Sequence, residues 1–251
     1  MSAMIEFSVS QWALFTGAVM LAYCVRGGAG FGGGVVAAPL LALLMPLQMV
    51  VPLLSGMNTV TSISQGIHDW RKVAWREIAR IVPFAVAGVI AGIFFLANLD
   101  AKPLTRAFGL FITTYAIYML VFKGKTPEIP RRWLTPVAAV ISLFAGVIGS
   151  VFGGGVGPVF VMYLNSLKVE KDCFRATMNM LMLILGVSRL IGLLIAGLIT
   201  QKVLLLLAVA LPLSYVAGRL GNRMAQRFDQ QMFNRLVGCV ILASGILLML
   251  K

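Results

Sequence analysis

Two arginines and two asparagines stand in or beside stretches that are otherwise apolar, and no acidic side chain accompanies them. Arg189 lies near the middle of the apolar run 174–200, and Arg26 directly precedes Gly27-Gly28-Ala29-Gly30. An arginine inside a membrane costs about 2.5 kcal/mol or more, so it either serves a function or snorkels to an interface. Asn58 and Asn179 each carry two N–H donors and an acceptor, which suits them to orienting an oxyanion without fixed charge. The competing role for each is a hydrogen bond between helices. Thr59, Thr61, Ser62, Ser64 and Gln65 give the segment after Asn58 a polar face, as a hydrated pathway requires. The acidic residues Glu6, Asp69, Glu77, Asp100, Glu128, Glu170, Asp172 and Asp229 fall in loops or at the ends of apolar runs. A buried arginine without a buried carboxylate prefers an anion. The same pattern lacks the paired acid and base of a hydrolase and the internal carboxylates of cation carriers and proton relays, so no enzyme is expected. Asp69 beside His68 is the best placed of the acids to handle a proton; its alternative is to neutralise Arg71 and Lys72. With a single histidine and three scattered cysteines (Cys24, Cys173, Cys239), no metal centre, disulfide framework or cofactor is indicated.

A glycine-rich break occurs twice. Phe31-Gly32-Gly33-Gly34-Val35 returns as Phe152-Gly153-Gly154-Gly155-Val156, and the same offset carries Met57-Asn58 onto Met178-Asn179. Further along, after an added stretch, Pro83, Gly92, Arg106 and Gly109 fall on Pro212, Gly221, Arg235 and Gly238. The counterpart of Arg189 is His68. Paired helix breaks in an internal duplication point to a transporter and its binding site. Each glycine weakens a helix by about 1 kcal/mol, and in lipid the freed N–H and C=O groups need partners. A helix that restarts after Gly-Gly-Gly presents unpaired N–H groups at its positive dipole end. Two such ends converging from opposite sides would cradle a small anion. The candidate substrate-binding residues are therefore Gly32, Gly33, Gly34, Asn58, Gly153, Gly154, Gly155, Asn179, Arg189 and Arg26. The alternative for the glycines is close helix packing. Each break lies near a proline, Pro39 or Pro158.

The elements that must hold these residues are membrane helices. The 251 residues are 60% apolar and 12% charged, with mean hydropathy +0.96. Soluble chains carry about 25% charged residues. A β-barrel is excluded because no ten-residue alternation is visible, and no cleavable signal peptide is expected from an N-terminus whose first charge is Glu6. Ten segments follow from the apolar runs: 10–26, 35–50, 51–68, 77–98 and 103–122, then 133–152, 156–167, 174–200, 203–219 and 235–250. The net charge of +13 reflects basic residues beside these segments, which indicates topology signals and lipid headgroups rather than nucleic acid. Four clusters (Arg71–Arg80, Lys123–Arg132, Lys168–Arg175 and Arg219–Arg235) hold most of the basic residues and are assigned to the cytoplasm.

Equivalent loops of the two copies then lie on opposite sides. The expected fold is an all-α polytopic membrane protein of two inverted-topology repeats, about five helical segments each, within a single transmembrane domain spanning 1–251. Repeat 1 covers 1–124, a cytoplasmic linker 125–132, and repeat 2 133–251, with both termini outside. The glycine breaks are either turns between full spans or tips of re-entrant hairpins that meet near the midplane. Residues 156–167 favour the hairpin, because they span about 18 Å against roughly 30 Å of hydrocarbon.

These residues resemble the TauE/SafE family, the sulfite-exporter or sulfonate-permease group of bacterial membrane transporters. The resemblance rests on the duplicated segments Gly27–Pro39 and Gly146–Pro158, the Asn that follows each, and the helix carrying Pro83, Gly88 and Gly92. It covers essentially the whole chain, and implies movement of small organosulfur or sulfur-oxyanion solutes across the cytoplasmic membrane. Gly157-Pro158 replaces Val36-Ala37 in the second block, so the two tips are not expected to contribute identically. The expected function is a secondary transporter exporting sulfite or an organosulfonate from the cytoplasm, with the halves rocking to alternate access. A passive anion channel, or a transporter of another small solute or cation, is the alternative. The expected partners are a small anion and membrane lipid, with homo-oligomerisation left open.

Overall fold

The computed structural model describes residues 8–29, 33–121, 134–154, 157–166, 169–225 and 230–250. These residues form α1 (Val9–Ala29), α2 (Gly33–Leu44), α3 (Leu47–Gly66), a short 3-10 helix (Ile67–Lys72), α4 (Trp75–Asn98) and α5 (Ala101–Val121). The second half gives α6 (Leu134–Phe152), α7 (Gly157–Ser166), α8 (Lys171–Ile195), α9 (Gln201–Ala225) and α10 (Gln230–Leu250). No strand occurs among the described residues. The order is the one expected; α9 runs on to Ala225 rather than residue 219, α10 starts at Gln230 rather than residue 235, and two other helices stop short. Helix α2 stops at Leu44 rather than residue 50 because Pro46, which lacks an N–H, starts the next helix, its carbonyl accepting from Met49 at 2.9 Å. Helix α8 stops at Ile195 rather than residue 200. Gly197 takes a left-handed φ of 69°, and Leu198 N donates to Leu193 O at 3.0 Å, a glycine C-cap that ends the helix.

Trp75–Asn98, Asp172–Ile195 and Gln201–Arg223 are long and apolar enough to cross a membrane. The outer faces match that environment: Ile90, Phe94, Phe144, Leu194 and Ile195 are each more than half exposed. Such a surface is untenable in water, and the protein is a polytopic helical membrane protein. Helices α2 and α7, of 12 and 10 residues, reach only about 18 and 15 Å at 1.5 Å per residue.

Helix α3 occupies the centre. Leu47, Val50, Val51, Leu53, Leu54 and Met57 are fully buried, and the helix touches α2, α4, α5, α6, α8 and α9. Around it the halves interlace. Helix α4 packs on α6, α1 on α9 and α5 on α10. Glycines allow backbone-to-backbone approach in the first two pairs: a Cβ on Gly88 would strike the Leu143 carbonyl, one on Gly146 the Ala85 carbonyl, and one on Gly221 the Cys24 carbonyl. The long helices of each half therefore find their closest partners in the other.

Polar contacts mark the two ends of the bundle. At one, Lys72 pairs with Asp172 at 3.1 Å and the Ala74 amide donates to Thr177 Oγ1 at 2.9 Å. At the other, Gln48 Nε2 donates to the Leu99 carbonyl at 3.3 Å.

Candidate functional site

The two glycine breaks touch. Helix α6 ends at Phe152, and Gly153, with φ of 75°, turns the chain while its amide donates to the Gly149 carbonyl at 3.0 Å. A side chain at that φ is strained, which explains one glycine of the motif. Space explains the next. A Cβ on Gly154 would lie 2.6 Å from the carbonyl carbon of Gly34, 2.7 Å from its oxygen and 3.0 Å from the Val35 amide nitrogen. The second break thus packs backbone to backbone on the start of α2. Phe152, just before it, stacks on Phe108 and Phe111 of α5 at centroid distances of 4.9 and 5.4 Å, which fixes the approach. Gly32 and Gly155 lie outside the described residues.

The first turn of α2 is buried at Gly33, Gly34, Val35 and Val36. Its leading N–H groups have no acceptor within the helix, so they form a buried positive end. Arg26 lies against this end: a Cβ on Gly33 would sit 3.1 Å from the arginine Cβ and 3.2 Å from its Cδ. Its side chain is not snorkelling, since the residue is 9% exposed. Nη1 donates to Asn58 Oδ1, and Nη2 donates to Ser62 Oγ at 3.2 Å. Tyr23 completes the cage. Its hydroxyl donates to the same Asn58 oxygen at 3.2 Å, and the guanidinium carbon lies 5.9 Å from its ring centroid. Arg26 Nε is buried with no hydrogen-bond partner among the described residues, and no described carboxylate pairs with the guanidinium.

Asn58 stands at the meeting point. With its oxygen committed to Arg26 and Tyr23, its Nδ2 faces the glycine junction, 3.3 Å from where a Gly34 Cβ would be. The amide N–H groups have no acceptor among the described residues. The arrangement brings together a guanidinium, a neutral amide donor and a helix N-terminus, all of them hydrogen-bond donors and two of them positive.

Of the remaining expected residues, Arg189 is buried (6% exposed) on α8, and its Nε donates to Ser150 Oγ on α6 at 3.3 Å. It makes no hydrogen bond to the Arg26–Asn58 cluster. Asn179 is partly buried near the start of α8 and is hydrogen-bonded to none of these residues. His68 and Asp69 fall in the 3-10 helix, and their side chains lie outside the described residues. Sequence reasoning missed Tyr23 and Ser150, since a lone hydroxyl in an apolar helix has no spacing signal.

The profile of the family described as "Sulfite exporter TauE/SafE" matches residues 15–248. A "Probable inner membrane transporter protein TsaS" from Comamonas testosteroni is 25% identical over 191 residues, covering 76% of this chain and 78% of that protein. A "Probable membrane transporter protein" from Haemophilus influenzae is 24% identical over 180 residues, covering 67% of this chain and 68% of its own length. No solved structure matches the chain.

Proposed function

The chain belongs to the TauE/SafE sulfite-exporter family, and from that premise we propose that it is a secondary transporter exporting sulfite or an organosulfonate across the bacterial inner membrane. One observation carries the choice of an anion. The buried Arg26 side chain runs along the buried N-terminus of α2, which adds about half a positive charge, to a guanidinium held by Asn58 and Ser62, and no described carboxylate neutralises either. A cation entering there meets like charge. An oxyanion meets a fixed positive charge, the free N–H groups of Asn58 and the first amides of α2. Gly32, Gly155 and Asn179 complete the proposed lining, and Arg189 supplies a second positive charge along the passage. The reading is of a transporter, not an enzyme.

The inverted-repeat reading has support in the packing. Exchanging α1–α5 for α6–α10 carries the α4–α6 pair onto α9–α1 and leaves α5–α10 and α3–α8 unchanged. The arginines are reciprocal under the same exchange: Arg26 on the first helix of one half reaches the third, and Arg189 on the third helix of the other reaches the first. The Lys72–Asp172 pair joins two loops that the charge pattern assigns to the cytoplasm. Because the halves interlace, the bodies that move in alternating access are mixed sets, α4 with α6 and α1 with α9.

The test is ligand-dependent thermal stability of purified protein with sulfite, sulfate, thiosulfate, taurine, sulfoacetate, acetate, Na⁺ and divalent cations. Selective stabilisation by sulfite or a sulfonate, lost in Arg26→Ala, is expected. Stabilisation by cations alone would overturn the anion reading. In proteoliposomes, saturable flux with counterflow is expected, and flux that does neither marks a channel.

A further inference from the structure

Four carboxylates have described side chains, and three of them, Asp100, Glu170 and Asp172, are exposed. Glu77 is not: its side chain is 16% exposed in the first turn of α4. Each of its oxygens has a separate partner. Oε1 pairs with Arg80 Nη1 at 2.9 Å, and Oε2 accepts the Tyr163 hydroxyl at 2.6 Å. Tyr163 is buried on α7. That helix packs on its sequence neighbours α6 and α8, so the tyrosine–carboxylate bond ties it to the first half of the chain. The other end of α7 follows the Gly153–Gly154 turn, which packs on α2. A ten-residue helix preceded by a glycine turn has little of its own to fix its position.

We propose that Glu77 is a positioning residue for anion transport: through Tyr163 it holds α7, and with it the Gly153–Gly154 turn, in register with the α2 N-terminus. The role rests on the anion-site reading above. Tyr163 lies about 9 Å along α7 from Gly157, so the carboxylate steadies the helix from a distance without placing negative charge at the glycine junction. Charge-assisted hydrogen bonds of this length are the strong kind.

Hydrogen exchange across 157–166 in ligand-free protein in lipid nanodiscs tests the hold directly. Tyr163→Phe removes one oxygen, and it should raise exchange across α7 by about 10–100-fold while leaving α10 unchanged. Glu77→Ala should do the same, whereas Glu77→Gln, whose amide oxygen still accepts the hydroxyl, should stay near wild type. Unchanged α7 exchange in Tyr163→Phe overturns the proposal. In proteoliposomes loaded with sulfite, Tyr163→Phe should raise KM about tenfold with turnover within about twofold, and Glu77→Gln should keep the wild-type KM. Lowered turnover at unchanged KM would also overturn positioning. A wild-type protein that responds to no anion sinks the transport reading, while the exchange measurement still decides whether Glu77 holds α7.

Discussion

Adding a single methyl group at Gly154 tests the junction most directly. The Cβ of Gly154→Ala would arrive 2.6 Å from the Gly34 carbonyl carbon, whereas carbon atoms in ordinary contact stand about 3.5–4.0 Å apart. The gap must therefore open by about 1 Å. What blocks the methyl is backbone in the buried first turn of α2, so no side chain can rotate out of its way. Overpacking of this kind costs about 1–3 kcal/mol. The same displacement separates the donors on the two breaks, and a shift of about 1 Å at a preorganised site can cost about 100-fold. Purified Gly154→Ala should melt several degrees below wild type, and its apparent affinity for sulfite in proteoliposomes should fall by about 10–100-fold. Gly34→Ala should be milder: its Cβ would meet the Gly153 carbonyl oxygen at 3.0 Å and the movable Asn58 amide at 3.3 Å. Gly17→Ala is the control, with nothing within 4 Å of the new carbon, and should be neutral or stabilising by up to about 1 kcal/mol. Wild-type melting and wild-type transport by Gly154→Ala would refute the reasoning.

Asn58→Asp places a carboxylate where Arg26 now bonds an amide oxygen; it should raise the melting temperature through an internal ion pair yet abolish stabilisation by anions, and a retained anion response would remove Arg26 from the site. Arg189→Ala withdraws a buried charge that no described carboxylate pairs, so the variant should melt no lower than wild type while transport is lost; normal flux would exclude Arg189 from the passage. Lys72→Ala breaks an ion pair whose side chains are 52% and 71% exposed, and should change stability by less than about 1 kcal/mol with transport unaffected. A larger loss in a melting experiment would show that the pair, not the packing beside it, closes that end.

Much of the architecture is legible in the chain because apolar runs and charged loops dictate where membrane helices begin and end. Two helices stopped short at single residues, Pro46 and Gly197, whose backbone chemistry outweighs a hydropathy pattern that continues past them, while α9 and α10 extend into the charged stretch between them. The two glycine segments stood out by their duplication, and Arg26 and Asn58 by residue type. Their bond to each other did not, because it depends on how α1 turns against α3. Glu77 read as a residue at a span end, which it is. Its inward partner was hidden, since Tyr163 is 86 positions away on a helix too short to show a polar face. The interlacing of α4 with α6 and α1 with α9 was equally hidden. Glycines announce that a helix has a close neighbour without saying which one.

That interlacing bears on how the protein is made. When synthesis reaches the end of the first half, α1, α4 and α5 are already inserted, but α9, α6 and α10, which cover their grooves, do not yet exist. At about 5–20 residues per second, residues 133–251 take about 6–24 s to follow. Over that interval the grooves along Gly27, Gly88 and Gly92 can be filled only by lipid or by another membrane protein. The nascent first half is thus an orphan in the bilayer, and membrane proteases should clear a chain truncated at residue 124 far faster than the whole one.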